Sequence, residues 1–130
     1  MAKKEINIII TGRVASKKNS KRIFMRGGRR IVLCSVAYER YLKEALTQIT
    51  KKYKSQSKVD SPYEVHYVFK MRGKAGTDVD NMVASINDIL QEAGILDDDK
   101  NVMKIIAVKL PQQEEYLTEV KVISSAHQYG

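Results

Sequence analysis

The sequence predicts a single α+β domain, and three observations point there. Several runs alternate apolar and polar residues with the period of two of a half-buried strand. Two longer segments repeat their apolar residues at helical spacing, and a glycine pair separates two short β-prone runs. The 130 residues suffice for one modest core and not for a second, so one domain is expected to span 1–130.

Glu5 to Thr11 is rich in isoleucine and stops at Gly12, which suits a buried strand. Ile23, Phe24 and Met25 then precede Arg26-Gly27-Gly28-Arg29, with Ile31 to Cys34 following, the pattern of a hairpin turned on glycine. Tyr38, Tyr41, Leu42, Ala45, Leu46, Ile49 and Tyr53 form the stripe of a first amphipathic helix, for which Ser35 is the candidate N-cap. Its tyrosines are expected to pack as scaffold, and this helix is assigned no chemistry. A polar, basic loop from Lys51 to Ser61 leads through Pro62 into a strand. There Tyr63, Val65, Tyr67, Phe69 and Met71 alternate with Glu64, His66, Val68, Lys70 and Arg72. After the loop Gly73-Lys74-Ala75-Gly76, the spacing of Met82, Ile86, Ile89, Leu90 and Ala93 predicts a second amphipathic helix from about Asn81 to Gly94. Strands from Met103 to Leu110 and from Tyr116 to Ser124, joined by a turn at Pro111, complete the elements.

The net charge of +8 is localised. Arg13, Lys17, Lys18, Lys21, Arg22, Arg26, Arg29 and Arg30 fall within residues 13–30 with no acid among them, and the remaining 15 basic residues balance the 15 acidic ones. An excess confined to one stretch predicts a polyanion-binding surface, with nucleic acid as the first partner to consider. The loop Ser16 to Ser20, including Asn19, has the small polar residues that let backbone amides approach phosphates, and Lys74 adds a further cation. The single cysteine, Cys34, excludes an intrachain disulfide and sits in an apolar run as an expected buried thiol. His66 and His127 lack a nearby Cys or second His, so neither is expected to ligate a metal. The apolar run at Ile6 to Ile10 is too short for a signal peptide or a membrane span. No membrane association and a cytoplasmic location are expected.

Two acidic groupings interrupt this basic protein: Asp78-Val79-Asp80-Asn81 at the start of the second helix, and Asp97-Asp98-Asp99 just past its end. Carboxylates two apart in an extended or turn segment project to one side, and Mg²⁺ takes carboxylate oxygens and water in octahedral geometry. The competing reading for Asp78 and Asp80 is helix capping, worth about 0.5 to 2 kcal/mol, which accounts for one aspartate and not both. For Asp97 to Asp99 the competing reading is a solvated turn, although three adjacent acids repel one another and a nearby cation would relieve that repulsion.

Taken together, Thr77-Asp78-Val79-Asp80-Asn81, an intervening helix, Ala93-Gly94-Ile95-Leu96 and Asp98-Asp99-Lys100-Asn101-Val102 resemble the signature of the RusA-type Holliday junction resolvases. The resemblance extends to the basic loop Ser16-Lys17-Lys18-Asn19-Ser20, the hairpin and the first helix, and so covers most of the chain. It implies a mixed β-sheet with two main helices and a basic N-terminal hairpin. It also implies a metal-dependent endodeoxyribonuclease that resolves four-way DNA junctions as a homodimer by paired phosphodiester hydrolysis. Asp78, Asp80 and Asp99 would be the catalytic metal ligands, with Asn81, Asp98 and Lys100 behind them and Mg²⁺ as the ion, Mn²⁺ being able to substitute. DNA would be held by Arg13, Lys17, Lys18, Asn19, Lys21, Arg22, Arg26, Arg29, Arg30 and Lys74. The apolar C-terminal strand or the first helix is the expected dimer surface.

One departure from the family pattern stands out. Family members commonly carry a lysine four residues after the second paired aspartate, where this chain has Ala84. Asn81, Ala84, Ser85 and Asp88 are expected to share a helix face, and Lys74 or Lys100 is the candidate substitute cation. The alternative function is a junction-binding protein that has lost catalysis. A generic basic nucleic-acid-binding domain, its acids serving as caps and turns, is the third reading.

Overall fold

The structure, a computed structural model, describes residues 5–15, 21–34, 36–53, 59–74 and 76–125, with the backbone alone along 21–26 and 29–34. Along the chain come β1 (Glu5–Thr11), β2 (Lys21–Arg26), β3 (Arg29–Cys34), α1 (Val36–Tyr53), β4 (Tyr63–Lys70), α2 (Val79–Glu92), a 3-10 turn (Asp99–Asn101), β5 (Val102–Leu110) and β6 (Leu117–Ser124). The fold is α+β as expected. Ser35, Lys17, Lys18, Asn19 and His127, and the side chain of Cys34, lie outside the described residues.

Four strands make a mixed sheet in the order β1-β6-β4-β5. The pairs β1/β6 and β6/β4 are antiparallel, while β4 and β5 run parallel and are linked through α2. Because side chains alternate along each strand, the register defines two faces. Ile6–Val122–Val65–Ile105, Ile8–Val120–Tyr67–Ala107 and Ile10–Thr118–Phe69–Lys109 form rungs on one face. This is the covered face: from β1, β6 and β4 its residues are buried together with Tyr41, Ala45 and Ile49 of α1 and Met82, Ile86, Ile89 and Leu90 of α2. The other face carries Asn7–Lys121–His66–Ile106 and Ile9–Glu119–Val68–Val108. Cover fades at β5, where Ile105 is exposed although it shares a rung with fully buried Val65.

Both apolar stripes behave as their spacing requires. The second helix, however, begins two residues earlier than expected, at Val79 with Asp78 as N-cap. Its end is set by Gly94, whose φ of +80° turns the chain so that the Ile95 amide returns to the Leu90 carbonyl at 2.9 Å. Beneath the helix the Tyr67 hydroxyl donates to Oδ1 of buried Asn87, pinning α2 to β4.

The basic stretch forms a separate two-stranded hairpin, β2 against β3. Gly27 and Gly28, at φ +59° and +77°, supply the left-handed turn that matches strand twist, and Arg26 pairs with Arg29 beside it. β6, expected with the first helix as a possible dimer surface, lies between β1 and β4 with both edges already paired, so it offers a neighbour a face and not an edge.

Candidate active site

Asp78 has extended backbone angles (φ −65°, ψ 139°), yet its side chain makes no capping hydrogen bond. Asp80 lies within the first helical turn, so the pair straddles the start of α2 instead of sharing an extended segment. Asp78 thus holds the N-cap position without the side-chain hydrogen bond of a cap, and both carboxylates remain at the positive end of the helix dipole. Among the described residues, neither carboxylate has a hydrogen-bonded or ion-paired partner, and both residues are exposed.

The second acidic group divides its labour. Asp97 accepts from the Asp98 amide at 2.7 Å and from Nδ2 of Asn101 at 3.0 Å, and the Asn101 bond above all holds its carboxyl below the ordinary aspartate range. Its own amide donates to the Tyr63 hydroxyl at 3.3 Å. Asp98 caps the 3-10 turn by accepting from the Lys100 amide at 3.0 Å, with Lys100 Nζ at 3.8 Å. Lys100 is thus already engaged by Asp98. Asp99 alone of the three uses only its backbone, the amide donating to Gln91 Oε1 at 3.1 Å. Its exposed carboxylate touches no protein donor among the described residues.

That bond also fixes where Asp99 sits. Gln91 is in the last turn of α2 and Asp78 stands before the first, so at 1.5 Å per residue the two acidic groups are separated by about 20 Å of helix. Among the described residues no three His, Cys, Asp or Glu side chains gather closely enough to hold a metal ion. The structure thus does not bring Asp78, Asp80 and Asp99 together within one chain.

The helix face expected to unite Asn81, Ala84, Ser85 and Asp88 straddles the boundary between core and solvent. Asn81 and Ser85 are buried, and the solvent-facing stripe is Asp80, Ala84, Asp88 and Gln91. Spacing alone does not say which of two adjacent stripes meets the sheet.

The cation placed at the first acidic group is one the linear pattern did not indicate. Lys109 lies on the covered face beside Phe69, and its Nζ donates to the Thr77 carbonyl, next to Asp78, at 3.0 Å. Lys74 is exposed. Arg13, counted above with the DNA contacts, has its guanidinium 5.6 Å from the centre of the Tyr116 ring, a cation–π arrangement that also anchors it. His66 meets Glu64 at 2.5 Å on the open face, the hydrogen-bonded role expected of a lone histidine. Lys21, Arg22, Arg26, Arg29 and Arg30 lie along the hairpin.

A family model, Endodeoxyribonuclease RusA, matches residues 11–123, which contain both acidic groups and the basic hairpin. The chain belongs to the RusA endodeoxyribonuclease family. Comparison with curated proteins finds no match. The RusA family comprises endonucleases that resolve Holliday junctions and depend in general on a divalent metal, so DNA cleavage is the activity class of this chain. Among the described residues, no helix is long and apolar enough to cross a membrane.

Proposed function

We propose that this chain is a Mg²⁺-dependent resolvase of four-way DNA junctions acting as a homodimer, with Asp78, Asp80 and Asp99 as its metal ligands. The observation that carries the proposal is that these three carboxylates are exposed and, among the described residues, unpartnered in a protein of net charge +8, while Asp97 and Asp98 next to Asp99 are committed to the turn. Unengaged carboxylate oxygens are the donor set a hard cation selects. The separation along α2 makes them two half-sites, and a second subunit related by a two-fold axis completes each: Asp78 and Asp80 from one copy, Asp99 from its partner. Asn81 is buried at the start of α2, directly after Asp80 of the first half-site. Asp98 and Lys100 shape the turn that presents the second.

When bound there, Mg²⁺ would supply Lewis-acid polarisation of the scissile phosphodiester. The hairpin cations and Arg13 counter the repulsion between DNA and the carboxylates, and Lys109 holds the loop that carries Asp78. Two composite sites across a two-fold axis match the symmetry of a junction and its paired nicks.

Mixing two inactive variants tests the arrangement. Asp78→Asn and Asp99→Asn should each bind a four-way junction and cut more than about 100-fold slower than wild type, since each removes a charged ligand. Subunit exchange between them then leaves one complete site per heterodimer, and Mg²⁺-dependent nicking returns. If mixing restores nothing while wild type cuts, the three aspartates do not work across subunits. The second reading, a binding protein without catalysis, is motivated by Ala84, whose exposed methyl offers no charge beside Asp80. Wild type that binds junctions and stays inert in Mg²⁺ and Mn²⁺ would favour it.

A further inference from the structure

Helix α1, expected to serve as scaffold alone, carries a row of cations on its outer side. Arg40, Lys43, Thr47 and Lys51 are exposed and fall at i, i+3, i+7 and i+11, one stripe of an α-helix. Glu39 stands four residues before Lys43, and Arg40 four before Glu44, spacings at which helical ion pairs form. Among the described residues, none of these cations makes one. Thr47 turns its hydroxyl back to the Lys43 carbonyl at 2.9 Å and adds no charge. Lys51 also suits the negative end of the helix dipole, but Arg40 and Lys43 lie too early in α1 to gain from it.

The packing of α1 gives the stripe a direction. The Ile9 amide donates to the Tyr53 hydroxyl at 3.1 Å, the Thr11 amide to Gln48 Oε1 at 2.9 Å, and Gln48 Nε2 to the Thr11 carbonyl at 3.2 Å, so α1 runs antiparallel to β1. Its first half therefore reaches the end of the sheet where β1 and β4 finish, and there the ring of buried Tyr41 lies against Gly12. The same end carries Arg13 and, beyond β4, the loop to Asp78. A shallow groove beside the stripe is lined by Thr11, Arg40, Lys43, Glu44, Thr47 and Gln48. Glu44 stands on its flank toward β1, in the row of Arg40 and Gln48, and the bonds of Gln48 close that edge to a further strand.

We propose that this stripe is a phosphate track for one duplex arm of the DNA, starting at the end of the sheet where Asp78 stands and leading the arm away from it. From Arg40 to Lys51 the helix spans about 16 Å, a length over which one strand of B-form DNA presents about five phosphates. A row of cations with no acid inside it complements such a ridge. It reads backbone and not bases, so the contact is independent of sequence. A second copy of the chain is the wrong occupant, because a two-fold axis through the stripe would set cation against cation. The choice of DNA as the polyanion rests on the function proposed above, while the open cations stand independently of it.

The test is a lysine footprint of the full wild-type chain in EDTA, so that binding is read apart from cleavage. On binding a linear duplex or a four-way junction at low salt, Lys43 and Lys51 should become about tenfold slower to acetylate. Lys121, exposed on the open face of the sheet, should stay reactive. Arg40→Ala combined with Lys43→Ala and Lys51→Ala should make the slope of log affinity for the duplex against log salt shallower by about 2.7, about 0.9 for each phosphate. Glu44→Lys should tighten binding and steepen the slope by about 0.9, a gain that no folding defect produces. Lysines as reactive in the complex as in the free chain, or a slope that neither variant moves, overturn the track. Protection by the junction and not by the duplex would place the contact at the branch point and overturn the arm. Protection by the duplex in a chain that stays inert on junctions in Mg²⁺ would uphold the track and sink the resolvase reading. Junction cleavage with both lysines unprotected would do the reverse.

Discussion

The amide of Asp99 donates to Gln91 Oε1 at 3.1 Å, and this one bond ties the acidic turn to the end of α2 farthest from Asp78. The turn is braced a second time where the Asp97 amide meets the Tyr63 hydroxyl, so its placement depends on both α2 and β4. A carboxylate on such a turn is presented in a fixed direction without being consumed.

Gln91→Ala removes the bond to Asp99. As an exposed, neutral hydrogen bond it contributes roughly 0.5 to 1.5 kcal/mol at most, so the melting temperature should move little. Single-turnover cleavage of a four-way junction should fall about tenfold because Asp99 loses its orientation, and added Mg²⁺ should recover part of the loss. Cleavage indistinguishable from wild type would show that the 3-10 turn holds Asp99 unaided.

Lys109→Met keeps the aliphatic stem against the sheet and deletes the ammonium that holds the Thr77 carbonyl. A charged hydrogen bond of this kind contributes about 1.5 to 3 kcal/mol, and its loss frees the segment leading to Asp78. Cleavage at saturating Mg²⁺ should drop by about tenfold while junction affinity in gel-shift assays holds. Equal losses in both would mean that Lys109 contacts DNA and does not act on the loop.

Tyr67→Phe leaves the Asn87 carbonyl buried without its donor beneath α2. Urea unfolding should show a loss of about 1 to 3 kcal/mol with the m-value unchanged. The folded fraction should cut DNA at the wild-type rate, since the pair faces the core and neither acidic group. A rate loss persisting in fully folded protein would link this pair to the site.

Arg26→Ala with Arg29→Ala removes two cations from the hairpin tip. If each neutralises one phosphate, the slope of log affinity against log salt should become shallower by about 0.9 per residue. The catalytic step at saturating DNA should be unaffected. An unchanged slope would place DNA elsewhere, with Arg13 and Lys74 the next positions to change.

The sequence by itself determined the elements and the identity of the acids. Periods of two and 3.6 report which residues share a strand or helix face, and Gly27-Gly28 and Gly94 mark turns that need left-handed backbone, so β1, the hairpin, α1, β4, β5 and β6 stand within about two residues of expectation. The Asp-x-Asp-Asn and Asp-Asp groups were visible because their spacing is local. Only the tertiary structure decided what is set by residues far apart in the chain. Sheet order placed β6 inside and left β5 at an open edge, because strand pairing depends on partners that periodicity does not name. Packing chose which stripe of α2 is buried, turning Asn81 and Ser85 inward and leaving Asp80, Ala84, Asp88 and Gln91 in solvent. Lys109 reaches Thr77 across 32 residues, and the straight run of α2 holds Asp78 and Asp99 apart although they are only 21 positions distant. A helix between two motifs is a spacer of fixed length, and it moves the completion of the proposed site from one chain to the contact between two.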